Sequence, residues 1–337
     1  MYRLIGTALF LVVNAVSPVG FAQDVESGAD RVQAGSFVFE FATLQQGREA
    51  LGRSDEFIRQ LSVFDRQVRT QQKEDPGEKA FLDFVSGEVL AWDQEARQEF
   101  KTAIESLSES LKLIQGLSLG PILLIRTTGN EESGAAYTRG KVIVLPVGRR
   151  SQKDRLIAHE LFHVLSRNYP ELRDRLYARI GFRPTRPIVL PGELADRKVT
   201  NPDAPEIKHV IDVQLAEEKV STLSPALFAS QSFVDDSGMT IFSNLEVRLM
   251  EVESAGENQF VAKLKDGKPV MHPLNTPDYL RQIGRNSRVI FHPEEVMANN
   301  FSILLVDRDS ATDQWVIDAM VEEFKRFNAE RSKSLGR

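Results

Sequence analysis

Two of the five histidines in this 337-residue chain, His159 and His163, stand four residues apart in LIAHELFHVLSRN (residues 156–168), and Glu160 directly follows the first. Residues four apart on a helix lie one above the other, with Cβ atoms about 5–6 Å apart. Two imidazoles so placed can both reach one Zn²⁺ at about 2.0–2.1 Å. Glu160, one position on, can point at water held by such a metal without being a ligand itself. The alternative is an ordinary buried helix whose histidines only cap its core. Under either reading the chain must build a helix here and arrange its other elements around a polar face.

The flanking sequence supports a mixed fold. PILLIRTTG (121–129) and KVIVLP (141–146) are short Ile/Leu/Val runs bounded by Gly and Pro, so they read as strands. Ser151 can cap the following helix, Asp154 suits its first turn, and Pro170 disfavours helical geometry just before it, so the helix should end near Asn168. Upstream, SFVFEFATL alternates Phe37, Phe39 and Phe41 as a strand would. From about Leu51 to Leu117 apolar residues recur at three- and four-residue steps, the pattern of helices packed on a core.

A Pro-rich passage follows Gly181 and reads as an ordered loop region. Strand-like runs come next around 207–215, 239–253 and 258–271, with Asp266-Gly267 as a hairpin signal. Helices near 276–283, 293–306 and 311–329 close the chain. Helices first, then mixed strands and helices, predict an α+β fold without the regular alternation of a parallel α/β sheet.

The N-terminus, MYRLIGTALFLVVNAVSPVGFAQDV, has one basic residue, a short apolar run and a small-x-small site ending at Ala22, as a secretory signal peptide does. The run is shorter than the about 20 residues a membrane span needs, so no stable span is expected after cleavage near Ala22. A periplasmic or secreted bacterial location follows. No cysteine is present, so stability must come from the core and any bound metal. A formal charge of -6 with no long Lys/Arg run argues against a nucleic-acid partner.

Two histidines leave a catalytic zinc site one ligand short. In RVIFHPEEVMANNF (288–301), Glu295 and Asn299 are four apart, so a carboxylate to complete the site and an amide to orient an imidazole share one helix face. The fourth neighbour of Glu294 is Ala298, which selects Glu295. His209 in EIKHVIDV and Glu193 in PGELADR are the competing third ligands. With water in the fourth zinc position, Glu160 would act as general base on a peptide bond. Tyr137, Tyr279, His272 and His292 are the candidate oxyanion donors, and His292 can instead orient the loop carrying Glu295.

HELFH with a downstream Glu-x-x-x-Asn resembles the gluzincin branch of the zincin metallopeptidases, to which thermolysin belongs and whose pattern is HExxH plus Glu-x-x-x-Asp. Asn299 stands where that family has Asp, and the His163-to-Glu295 interval is long. TTGNEESGAAYTRGKVIVLP, HELFHVLSRN, NPDAP and HPEEVMANNF are also similar to stretches of bacterial exported proteins with metallopeptidase domains of unassigned substrate.

These patterns divide the chain into a signal peptide at 1–22, a flexible lead-in at 23–36 and a mainly helical region at 37–118. The resemblance implies a zincin-like catalytic domain at 119–337, with a large insertion between the two ligand-bearing helices. It also implies that KVIVLP or the preceding AAYTR is an edge strand pairing with an extended peptide or protein substrate; the alternative is an internal strand. A zinc-binding envelope protein with a scaffolding role and no catalysis is the competing function, and the oligomeric state is left open.

Overall fold

The computed structural model describes residues 30–148, 152–235 and 238–334. The leader expectation, the first half of the lead-in (residues 23–29) and Ser151 lie outside the described residues. The fold is α+β, with two six-stranded sheets.

The first sheet begins with the hairpin β1 (Arg31–Ala34) and β2 (Phe37–Phe41), where the Phe alternation predicted a strand. Short helices α1 (Leu44–Leu51), α2 (Glu56–Gln60), α3 (Val63–Thr70) and α4 (Gly77–Gly87) follow. Thr43, Asp55 and Ser62 cap the first three, each accepting a backbone N–H from the first turn. Val89 and Leu90, assigned to a helical stripe by sequence, form strand β3 (Val89–Leu90) instead. There they pair with β4 (Ile122–Thr127), after α5 (Gln94–Ser106) has crossed the sheet. The sheet is completed by β5 (Tyr137–Arg139) and β6 (Val142–Pro146), in the order β1-β2-β4-β6-β5.

β2, β4 and β6 run parallel, and β5 runs antiparallel at the end of the order. Parallel strands are normally covered on both faces, and these are. Ile122, Leu124, Ile143 and Leu145 enter the main core, while Ile125 and Val144 pack on the other face against residues of α1, α2 and α4. The mainly helical residues 37–118 are therefore not set apart: their β2 lies inside the sheet that precedes HELFH.

HELFH lies on α6 (Lys153–Asn168), which ends where Pro170 predicted and is followed by α7 (Pro170–Ala178). Gln152 precedes α6 without a side-chain capping bond. The long interval then builds the second sheet from β7 (Phe182–Pro184), a short α8 (Glu193–Asp196), β8 (His209–Ala216), β9 (Lys219–Ala229), β10 (Leu245–Gly256) and β11 (Gln259–Ala262).

Two differences from the sequence expectations fall in this sheet. β9 was read as no strand, because KVSTLSPALFA interrupts its apolar pattern with Pro225 and small polar residues. Residues 239–244 were expected to be strand and instead form a turn before β10. The Asp266-Gly267 hairpin joins β12 (Leu264–Lys265) to β13 (Lys268–Pro269), with φ of +52° and +75° at the two turn residues. β14 (Met271–His272) returns to pair with β10.

The chain ends in α9 (Pro277–Ile283), α10 (Pro293–Val306) and α11 (Gln314–Ser334). α10 is buried almost all round, from Pro293 to Leu305, and packs closely along α6. That pairing joins segments more than a hundred residues apart. Among the described residues no helix is long and apolar enough to cross a membrane.

Candidate metal centre

α6 and α10 bring three predicted ligands together. His159, His163 and Glu295 each present one ligand atom, all within 4.8 Å of one another. His159 Nε2 lies 3.3 Å from Glu295 Oε2, and His163 Nε2 lies 3.9 Å from Glu295 Oε1. Atoms bound about 2.0–2.1 Å from one tetrahedral ion are themselves about 3.3–3.4 Å apart, a spacing that the His159–Glu295 pair matches and the His163–Glu295 pair exceeds. The His163 ring is 1% exposed, yet its Nε2 has no hydrogen-bond partner among the described residues. A buried donor or acceptor left unpaired costs free energy, and a cation accepting its lone pair removes that cost.

His163 is turned toward this point by its other nitrogen. Nδ1 is 2.8 Å from Glu294 Oε1, an oxygen that also accepts from Ser166 Oγ at 2.6 Å, while the Tyr177 hydroxyl donates to the second Glu294 oxygen. With its Nδ1–H donated to a carboxylate, the imidazole aims the Nε2 lone pair into the cavity. Glu295 is held in turn by Asn201, whose Nδ2 donates to Oε1 at 2.8 Å.

This corrects the role expected of Asn299. Its amide donates to the Glu295 carbonyl, back along its own helix, at 2.8 Å. The orienting carboxylate is Glu294, which the four-residue spacing rule had passed over. Adjacent helical positions diverge by about 100°, so Glu294 and Glu295 reach His163 from two sides. Glu294→Gln is therefore expected to weaken divalent-metal affinity about 10- to 100-fold, measured by competition with a chromogenic chelator. Unchanged affinity would show that Glu294 does not orient the ligand.

The electrostatics favour positive charge between the imidazoles. Burial would lower the His163 pKa, but Asp203, Glu295 and Glu294 carry it up to about 10. Burial pushes Glu295 upward, but His163, His159 and Asn201 hold it down at about 2. Burial and then the neighbouring Asp203 push Glu160 up to about 7. Glu160 is 2% exposed, and its Oε2 has no hydrogen-bond partner among the described residues.

His159, Glu160, Asn201, Asp203 and Glu295 line a cavity of about 470 Å³ between α6, α10, β5 and the second sheet. One wall is apolar, with Val199, Leu227, Ile241 and Phe291. Tyr137 lines the cavity too, and burial followed by Glu131 and Glu132 keeps its hydroxyl protonated well beyond the ordinary range.

The other oxyanion candidates are engaged elsewhere. Tyr279 donates to the Ile290 carbonyl at 2.5 Å, and His272 pairs with Glu251 at 3.1 Å in the second sheet. His292 caps α10, its Nδ1 accepting from Glu294 N at 3.0 Å, so it positions the two glutamates. Neither competing third ligand joins the cluster. His209 faces Asp174 at 3.5 Å, and Glu193 is exposed on α8.

The loop NPDAP contributes two residues to which sequence spacing gave no role. Asn201 holds Glu295. Asp203 forms a second close group with Glu160 and His163 and accepts from Thr138 N at 2.8 Å and Thr138 Oγ1 at 2.6 Å. The only advance signal was their place in a quoted stretch of resemblance.

No family model, curated protein or solved structure matches this chain. The case for function rests on the site itself.

Proposed function

We propose that this protein is an exported zinc-dependent metallopeptidase with a zincin-like core, hydrolysing peptide bonds with Glu160 as general base. One arrangement carries the reading: His159, His163 and Glu295 converge beside a buried, unpartnered Glu160 carboxylate in a cavity that opens along an edge strand. Two imidazoles and a carboxylate suit zinc, and a zinc ion there supplies Lewis acidity for the peptide carbonyl and brings the pKa of water toward about 7.

The chain's own groups divide the remaining work. Glu160 takes the proton of the attacking water and passes it to the leaving amine. Tyr137, which lines the cavity and whose hydroxyl is neutral at working pH, is the remaining candidate donor to the developing oxyanion. Glu294 fixes the His163 ring, and Asn201 fixes Glu295. β6 is internal, lying between β4 and β5, so the peptide-pairing role passes to β5 and the AAYTR stretch.

Metal analysis by mass spectrometry tests the reading. About one zinc per chain is expected, and it should be lost in His163→Ala. A protein that holds no stoichiometric metal after zinc is supplied ends the proposal.

A further inference from the structure

The edge strand beside the cavity is open at one end and stopped at the other. Outward backbone groups on an edge strand recur at every second residue. At Thr138 the outward N–H is taken by Asp203 Oδ1, which also accepts the Thr138 hydroxyl. At Arg139 the guanidinium is bound to Asp55, the Leu51 carbonyl and the Arg53 carbonyl, so α1 and α2 close over the strand. Two residues upstream of Thr138, Ala136 lines the cavity.

The stop is braced from α6 itself. Arg167 donates to Thr138 Oγ1 at 2.9 Å and to the Pro202 carbonyl at 3.2 Å. Asp203 N bonds the Asn201 side chain at 3.0 Å, and Asn201 bonds Glu295. The blocking loop and the candidate metal ligand are thus one rigid assembly.

A peptide paired antiparallel to β5 runs opposite to it, so substrate residues beside 138–139 precede those beside 135–136. The stop therefore falls on the N-terminal side of the bond under attack. There Asp203 presents a carboxylate within 4.8 Å of Glu160 and His163, with Oδ2 free of hydrogen bonds among the described residues. Glu160, whose buried Oε2 has no hydrogen-bond partner among the described residues, belongs to the same close group. A carboxylate at the closed end of a substrate track is complementary to a free α-ammonium group.

Building on the metallopeptidase reading, we infer that this site trims peptides from the N-terminus, with Asp203 anchoring the substrate's α-ammonium group. Protein chains with internal or blocked termini are excluded, because a residue further upstream would collide with Pro202, Asp203 and the covered edge.

Calorimetric titration of the zinc-loaded protein with L-leucine hydroxamate and with 4-methylpentanohydroxamate, the same chelator without the amino group, tests this. Both probes chelate zinc, and only the first carries the ammonium group. The free amine should bind about 10- to 100-fold more tightly, the range of a charge-assisted hydrogen bond. Asp203→Asn keeps an oxygen for Thr138 but loses the charge, and it should abolish the preference for the amine-bearing probe. Equal binding of both probes by the unmodified protein overturns the anchor and leaves the metal site standing. Binding of neither probe overturns the anchor together with the metallopeptidase reading. The comparison on the unmodified protein does not depend on the variant folding.

Discussion

The Glu160→Gln protein is expected to bind one zinc per chain, as the unmodified protein does, and to lose hydrolysis by about 10²- to 10⁴-fold, the contribution of a positioned general base. The substitution preserves shape and removes only the ability to accept a proton. Glu160 stands next to His159 in sequence but outside the His159–His163–Glu295 group, so ligation by those three residues is untouched. It instead joins His163 and Asp203, with an unpartnered oxygen in the cavity. Metal content and peptide hydrolysis measured on one sample separate the roles. Loss of zinc together with activity would make Glu160 a ligand, and retained activity would remove it from the mechanism.

How much of this was legible beforehand depended on the range of the interactions. α6 was read with its C-terminal limit and polar face, because helix periodicity, Pro170 and the histidine spacing are all local signals. The hairpin at Asp266-Gly267 was legible for the same reason, since its positive φ values call for those residue types. Strand β9 was not, because a strand carrying Pro225 is specified by its pairing with β8 and β10 more than by its own propensity.

The site divides along the same line. The pairing of α6 with α10 could be guessed from chemistry, since two histidines need a third ligand. Which neighbour of Glu295 orients His163 could not be, because that depends on how α10 is rotated against α6. Asn201 and Asp203 reach the site through a loop with no periodicity at all, and only tertiary contacts give them roles.

The largest effect on stability is expected at Arg69. Its side chain is 0% exposed and bonds Asp65 Oδ1 at 2.6 Å, both Glu132 oxygens at 2.7 and 3.0 Å, and the Thr200 carbonyl at 3.1 Å. Asp65 also accepts from Thr200 N and Oγ1 and from Ser62 N at the start of α3. One guanidinium thus ties α3, the turn at 130–132 and the loop that leads into Asn201 and Asp203. Arg69→Met keeps most of the side-chain volume but leaves two buried carboxylates without their cation, a loss of about 3–5 kcal/mol. Against a typical total of about 5–15 kcal/mol, that should sharply lower the urea midpoint without changing the slope.

The pH dependence identifies the cause. Even beside Arg69, burial pushes Glu132 up to about 7, and without the cation its pKa must rise further. A carboxyl whose folded pKa lies above its unfolded value destabilises the fold at high pH, and the penalty fades as pH falls toward the unfolded value. The deficit of the variant should therefore be greatest near pH 8 and smaller near pH 5. A deficit that is constant, or that grows toward acid, would assign the loss to packing and not to the stranded charges.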